Sequence, residues 1–147
     1  MNVYKYLLLA TDLSDASEAA ARRAADLVKR YRARFSTLHV VEHFPGAMPM
    51  DQILPENVDM KAFLRNRGRD ELAKDARRFG LERIEQYVMV STRSARYEIV
   101  RFAKEQGVDL IVVGTHSRHG IMGLFGSTAM GVLHDASCDV LTVRSQP

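Results

Sequence analysis

The 147-residue sequence has one cysteine, four prolines, no tryptophan and no long apolar run. A single cysteine excludes an intramolecular disulfide and a metal site made of several cysteines, so we predict that Cys138 is a small core residue beside a strand. No stretch approaches the roughly 20 apolar residues of a membrane-spanning helix. The first residues also lack the basic segment and apolar run of a secretory leader. We therefore expect a cytoplasmic protein with no membrane partner.

An excess of one charge is also missing, because 21 basic residues face 18 acidic ones and leave a net charge of +3. Basic side chains gather on one side of the first predicted helix, without the aromatic platforms that accompany nucleic-acid surfaces. We expect a solvated helix face there and no nucleic-acid partner. With 46% hydrophobic residues, the chain is large enough to form a single domain over residues 1–147 with its own core.

Short apolar segments alternate along the chain with segments of helical periodicity. The predicted strands span residues 4–10, 35–41, 84–90, 108–113 and 139–143, and the predicted helices lie within residues 15–31, 60–79, 94–107 and 127–134. Five apolar strands joined by four helices predict an α/β fold. We expect a doubly wound, five-stranded parallel sheet with helices on both faces. The third strand alternates apolar and polar residues more than the others, which favours an edge position.

Local signals mark several helix ends. Asp15 with Glu18 three residues later resembles a helix-start box, and Ser94 is a predicted N-cap. Gly80 and Gly107 are predicted to end the second and third helices.

Residues 42–60 contain three of the four prolines and are predicted to form a long loop. Such a loop is either a cover over the sheet edge or a ligand lid.

Residues 114–128 directly follow a buried strand, contain four of the nine glycines and lead into a helix. Strand, glycine-rich loop and helix is an arrangement by which α/β proteins bind phosphate, because N–H groups at the helix start point at the anion. Gly126 would precede the hydroxyls of Ser127 and Thr128, and Arg118 would add a positive charge. The alternative is a glycine-rich turn that only allows the last helix to pack closely.

Two further segments are predicted to meet this loop at the carboxyl edge of the sheet, where open α/β sheets bind ligands. The first strand ends in Ala10, Thr11 and Asp12, and the second in Val40 and Val41. Asp12 is suited to a ribose hydroxyl or a metal ion, and equally to capping a turn. The valines can offer backbone groups to an adenine edge, as any second strand could, and we expect Val41 to contact adenine through its backbone.

The sequence offers no catalytic constellation. Neither the dinucleotide fingerprint nor the P-loop is present, and no serine stands in a nucleophile elbow. The histidines lack the spacing of a metal site; they are His39, His43, His116, His119 and His134.

Four segments carry a likeness to a known family, namely residues 6–12, 109–116, 126–128 and 138–143. On these residues the chain resembles the universal stress protein family over nearly its whole length. The resemblance implies a Rossmann-like sheet of the adenine nucleotide alpha hydrolase type, and a homodimer formed by pairing of the last strands. Pairing of the last strands would cover the apolar residues Val140, Leu141 and Val143, which are expected to be exposed.

The resemblance also implies a stress-response regulator that binds ATP or AMP, with Mg²⁺ reaching Asp12 only through the nucleotide. The implied binding residues are Ala10, Thr11, Asp12, Val40, Val41, Gly114, Thr115, Ser117, Arg118, Gly126, Ser127 and Thr128.

The glycine loop departs from the pattern of the family's nucleotide-binding members, which is Gly, two residues, Gly, nine residues, Gly and Ser or Thr. Ser117 stands where the second glycine belongs, and eight residues separate it from Gly126. A nucleotide-free dimeric interaction protein is therefore the alternative. A third hypothesis is a slow ATPase that phosphorylates itself on Ser127 or Thr128.

Overall fold

The computed structural model describes residues 3–44, 59–81, 83–115 and 127–145. Its strands are β1 (Tyr6–Ala10), β2 (Arg34–Glu42), β3 (Glu85–Ser91), β4 (Leu110–Gly114) and β5 (Asp139–Val143). Its helices are α1 (Glu18–Tyr31), α2 (Met60–Arg78), α3 (Ala95–Gln106) and α4 (Ser127–Asp135), and a short 3₁₀ turn spans Asp15–Ser17. Residues 45–58, most of the predicted loop, lie outside the described residues. No helix in the described part of the chain is both long and apolar enough to span a membrane.

All strands pair in parallel in the order β3-β2-β1-β4-β5. The predicted doubly wound sheet is therefore confirmed, as is the edge position of β3. Every residue of β1 is buried, because helices cover both faces of the central strands. The strand order reverses between β1 and β4, which makes the carboxyl end of these two strands the topological switch point.

Two cores lie on opposite faces of the sheet. On one face, Leu8 and Ile111 pack with Ile99 of α3 and Val132 of α4. On the other, the intervening strand residues pack against α1 and α2, where small side chains such as Ala24 permit close contact. The alternation along β1 therefore sends successive side chains into different cores.

The start of the first helix differs from the prediction. Asp15 begins the 3₁₀ turn, and α1 follows with Ser17 at the N-cap, where its side chain makes no capping hydrogen bond. Glu18 instead pairs with Arg22 at 2.8 Å and with Arg78 of α2 at 3.0 Å. The predicted box is wrong, because Asp15 lies within the 3₁₀ turn and Glu18 is the first residue of α1, where its carboxylate forms one ion pair within the helix and one with α2.

The other predicted helix ends are confirmed. The Ser94 side chain accepts a hydrogen bond from the N–H of Tyr97, and Gly80 and Gly107 adopt φ angles of 71° and 73° beyond their helices. Such left-handed angles favour glycine because it lacks a Cβ. Asp59 is an additional N-cap, since its carboxylate accepts two N–H groups of the first turn of α2.

The β5 edge corrects one expectation. Val143 is buried, and Val140 and Leu141 are half-buried, because helices cover both faces of the strand. What β5 leaves open is the backbone along its outer side. Cys138, just before β5, is half-buried against the core, and burial raises the pKa of its thiol.

A polar network closes the opposite, amino end of the sheet. Tyr6 Oη lies 2.7 Å from Ser36 Oγ, and Ser36 donates to Glu85 Oε2 at 2.9 Å. Arg34 binds the same carboxylate at 2.9 Å and places its guanidinium 4.3 Å from the centre of the Tyr6 ring. The network joins β1, β2 and β3 far from the switch point.

Candidate nucleotide-binding cleft

A cleft opens at the carboxyl ends of β1 and β4, between the turn that follows β1 and the start of α4. Its described lining combines strand ends with residues of α3 and α4: Ala10, Thr11, Asp12, Ser17, Leu38, Val40, Ala95, Ile99, Val113, Gly114, Thr128 and Ala129. Most of this lining is apolar, and the polar groups come from the turn and from α4. The cleft thus occupies the switch point at which sheets of this topology bind ligands.

The turn after β1 is held by its own side chains. Asp12 Oδ1 accepts the N–H of Ser14 at 3.0 Å and also the Ser14 hydroxyl, while Thr11 Oγ1 accepts the N–H of Leu13 at 3.0 Å. Leu13 has a φ of 64°, a left-handed angle that side chains other than glycine adopt at a cost. Asp12 therefore caps the turn through one carboxylate oxygen and also lines the cleft.

The two valines of β2 differ in where their backbone groups point. The Leu38 carbonyl accepts a hydrogen bond from the chain on the β1 side, whereas the His43 N–H donates toward β3. Since these directions alternate along a parallel strand, the groups of Val40 face β1 and those of Val41 face β3. Val40 lines the cleft, whereas Val41, the residue expected to contact adenine, is not part of the described lining. The Val41 side chain faces α2, where a Cβ added to Gly68 would be 3.5 Å from Val41 Cγ2.

Gly114 allows β4 to approach the 3₁₀ turn. A Cβ at this position would lie 3.4 Å from the carbonyl oxygen of Ala16 and 3.8 Å from Cα of Ser17. A methyl group fits at these distances, and a larger side chain would push against the backbone of the turn. Gly114 thus sets the distance between the end of β4 and the segment that carries Asp12.

The start of α4 provides polar groups on the other side of the cleft. Thr128 lines the cleft, and Ser127 is exposed at the first position of the helix. The Thr115 N–H donates to the Val143 carbonyl at 3.0 Å. Its hydroxyl is buried and has no hydrogen-bond partner among the described residues. The predicted site residues Ser117, Arg118 and Gly126 lie outside the described residues.

Sequence reasoning missed the walls of the cleft. Ala95 and Ile99 face it from α3, and Ala129 faces it from α4. The N–H of Ala95 donates to the carboxylate of Glu42 at 2.8 Å, which fixes the start of α3 to the end of β2. Helical periodicity identifies these positions as apolar. The strand order is needed to show that α3 and α4 lie side by side over the end of β1.

Comparison with known proteins identifies the family of this chain. The family model described as universal stress protein family matches residues 4–144. The chain belongs to this family. Universal stress protein A homolog 1 of Coxiella burnetii is 34% identical over 140 residues, which cover 95% of this chain and 96% of the relative.

Solved structures of the universal stress protein family share the fold. UspA from Lactobacillus plantarum is 25% identical and superposes with a TM-score of 0.71, with 96% of this chain and 98% of that chain covered. A universal stress protein solved in complex with cAMP is 26% identical, with a TM-score of 0.62 and coverage of 98% and 99%.

Proposed function

We propose that this member of the universal stress protein family is a regulatory protein that binds an adenine nucleotide, ATP or AMP, in the cleft between β1 and β4. The observation that carries the proposal is the position of the cleft, because it joins an apolar slot, a carboxylate and a helix N-terminus at the switch point. The relative solved with cAMP supports the same ligand class. Such a ligand would be drawn from the cytoplasm, where we propose the protein acts.

The apolar part of the cleft suits the adenine base. Leu38, Ile99 and Val113 provide aliphatic walls for a planar ring. At Val40 the strand β2 continues beyond the end of β1, so its N–H and C=O can offer one donor and one acceptor to the base edge. Pairing of this kind discriminates bases because unpaired polar groups are costly in a closed site.

The ribose would meet Asp12. One of its carboxylate oxygens holds the Ser14 N–H, and the second oxygen remains able to accept a hydroxyl hydrogen. A hydrogen bond to an ionised carboxylate is stronger than one between neutral groups. A Mg²⁺ ion would reach this carboxylate only together with the nucleotide.

The phosphates would lie at the start of α4. Its first backbone N–H groups have no partners within the helix and carry the positive end of the helix dipole. The Ser127 and Thr128 hydroxyls add two donors at the same place. Gly114 lies on the opposite side, where the close approach of β4 to the turn narrows the cleft.

Titration calorimetry with AMP tests this assignment on two matched variants. Asp12→Asn keeps an oxygen for the Ser14 N–H but removes the charge offered to the ribose, so we expect affinity to fall about tenfold. Asp15→Asn removes the same charge from the neighbouring 3₁₀ turn, where the side chain is fully exposed and outside the cleft. This control should bind AMP like the wild-type protein.

Equal affinity of all three proteins for AMP would overturn the placement of the ribose at Asp12. A wild-type protein that binds neither AMP nor ATP would instead overturn nucleotide binding. The family member would then be a nucleotide-free interaction protein.

We also propose that two copies associate through β5. The strand lies at one end of the sheet, and Val143 directs its carbonyl to Thr115 on the inner side. Alternation therefore points the backbone groups of Val140 and Thr142 outward, where a second β5 can pair with them.

Light scattering after gel filtration tests this association. Thr142→Pro removes an outward N–H while leaving the donors of the inner ladder in place, so we expect a monomer. Thr142→Ala keeps the N–H and should remain a dimer. A wild-type monomer, or a dimer of the proline variant, would contradict pairing through β5.

A further inference from the structure

His39 lies outside the candidate cleft and contacts Thr11, one of the residues that line it. It lies on β2, and its ring nitrogen Nδ1 is 2.9 Å from the carbonyl oxygen of Thr11. Because a carbonyl oxygen only accepts hydrogen bonds, Nδ1 must carry the hydrogen. The ring therefore donates to the first peptide group of the turn that follows β1.

That peptide group determines where Asp12 lies. The Thr11 carbonyl belongs to the peptide bond that joins Thr11 to Asp12, and the Thr11 N–H donates to the Leu38 carbonyl at 3.0 Å. Two consecutive residues of β2, Leu38 and His39, thus hold both backbone groups of Thr11. Once this peptide plane is fixed, the direction in which Asp12 leaves the strand is fixed as well.

The packing of α2 keeps the ring in place. His39 lies on the α2 face of the sheet, and a Cβ added to Gly68 of α2 would be 3.6 Å from His39 Cδ2. Asp75, also on α2, lies within electrostatic reach: burial raises the pKa of its carboxyl, while the charges of Arg78 and His39 act in the opposite direction. The hydrogen bond to Thr11 is the described contact that links this ring to the lining of the cleft.

We propose that His39 is a positioning residue for the nucleotide site, which holds the Thr11–Asp12 peptide so that the Asp12 carboxylate faces the ribose. This inference rests on the proposed function. A histidine outside the cleft would thus contribute to recognition of the ribose hydroxyls, because the orientation of a binding group depends on the residues that support it.

The test compares AMP with 2′,3′-dideoxy-AMP, which lacks the hydroxyls that Asp12 would bind. In the wild-type protein we expect AMP to bind about tenfold more tightly than the dideoxy compound. His39→Leu removes the donor, so AMP affinity should fall about tenfold while dideoxy-AMP affinity stays nearly unchanged. A merely structural role would weaken both ligands by the same factor.

Two polar variants test which nitrogen of the His39 ring donates the hydrogen bond. The side-chain amide of Asn reaches the place of Nδ1, whereas that of Gln reaches the place of Nε2. His39→Asn should therefore retain the preference for AMP, and His39→Gln should lose it. These two variants also decide the matter if His39→Leu does not fold.

Thr37→Val is the matched control, since Thr37 lies two residues earlier on the same face of β2 and is buried. Its hydroxyl makes no hydrogen bond with the described residues, so the variant should keep the ligand preference. A preference for AMP that persists in His39→Leu or, if that variant does not fold, in His39→Gln would overturn the inference alone. Wild-type protein that binds neither ligand would overturn the proposed function, and the inference with it.

Discussion

The Ser36 hydroxyl is the centre of the polar network at the amino end of the sheet, and its removal should destabilise the protein without changing nucleotide affinity. Ser36 is completely buried and donates to Glu85. Its only hydrogen is used there, so the hydroxyl of Tyr6 must donate to Ser36 Oγ across 2.7 Å. The three groups form a directed chain of hydrogen bonds between three strands.

The expected loss in the free energy of unfolding depends on which hydrogen-bonding groups each substitution leaves without a partner. Ser36→Ala leaves the Tyr6 hydroxyl buried without an acceptor, which should lower the free energy of unfolding by about 1–3 kcal/mol. Tyr6→Phe removes that donor and leaves Ser36 bonded to Glu85, so a loss of about 0.5–1.5 kcal/mol is expected. The double variant has no orphaned hydroxyl and should lose about 1 kcal/mol less than the sum of the two single changes.

Urea denaturation followed by circular dichroism measures the four proteins of this cycle. Additive losses, within about 0.3–0.5 kcal/mol, would refute the chain of hydrogen bonds. AMP titrations of the folded variants should match those of the wild-type protein, because the cleft lies at the opposite end of the strands.

Three further predictions concern other parts of the fold. Arg32 is exposed at the end of α1 and has a φ of 53°. Arg32→Gly should therefore raise the free energy of unfolding, measured by urea denaturation, by about 0.5–1 kcal/mol. An Arg32→Gly variant no more stable than Arg32→Ala would contradict the idea that this left-handed angle strains the backbone. Arginine hydrogen bonds lower the pKa values of Glu18 and Glu85 in the folded protein. Their contribution should be complete above about pH 4.5 and vanish as the pH falls through the folded pKa values, so a urea midpoint that does not drop on acidification would refute it. Gly114→Ala should keep AMP affinity, whereas Gly114→Val should push on the Ala16 carbonyl and weaken binding; equal calorimetric affinities would show that the close approach is irrelevant.

The fold was predictable because a parallel sheet with helices on both faces buries whole strands. The apolar runs around Leu8 and Ile111 and the glycines at 80 and 107 carry this information locally. The edge position of β3 was also predicted, although β3 in the structure is half-buried along most of its length and alternates little.

What the sequence could not show depends on register between strands. Tyr6 and Ser36 are 30 residues apart, and His39 and Thr11 are 28 apart, so no local pattern links them. The different roles of Val40 and Val41 likewise follow from which neighbour each backbone group faces. The helix-start box at Asp15 failed because a 3₁₀ turn over Asp15–Ser17 precedes the helix, which therefore begins at Glu18.

The central claim, that the cleft between β1 and β4 holds an adenine nucleotide, is tested most directly on the native protein. Purified protein would be denatured, and the small molecules that it releases would be identified and counted by mass spectrometry, with added ATP and Mg²⁺ titrated into a second sample. We predict AMP, ADP or ATP at close to one per chain, or saturable binding of the added nucleotide. No released nucleotide and no heat or thermal shift on titration would contradict the account.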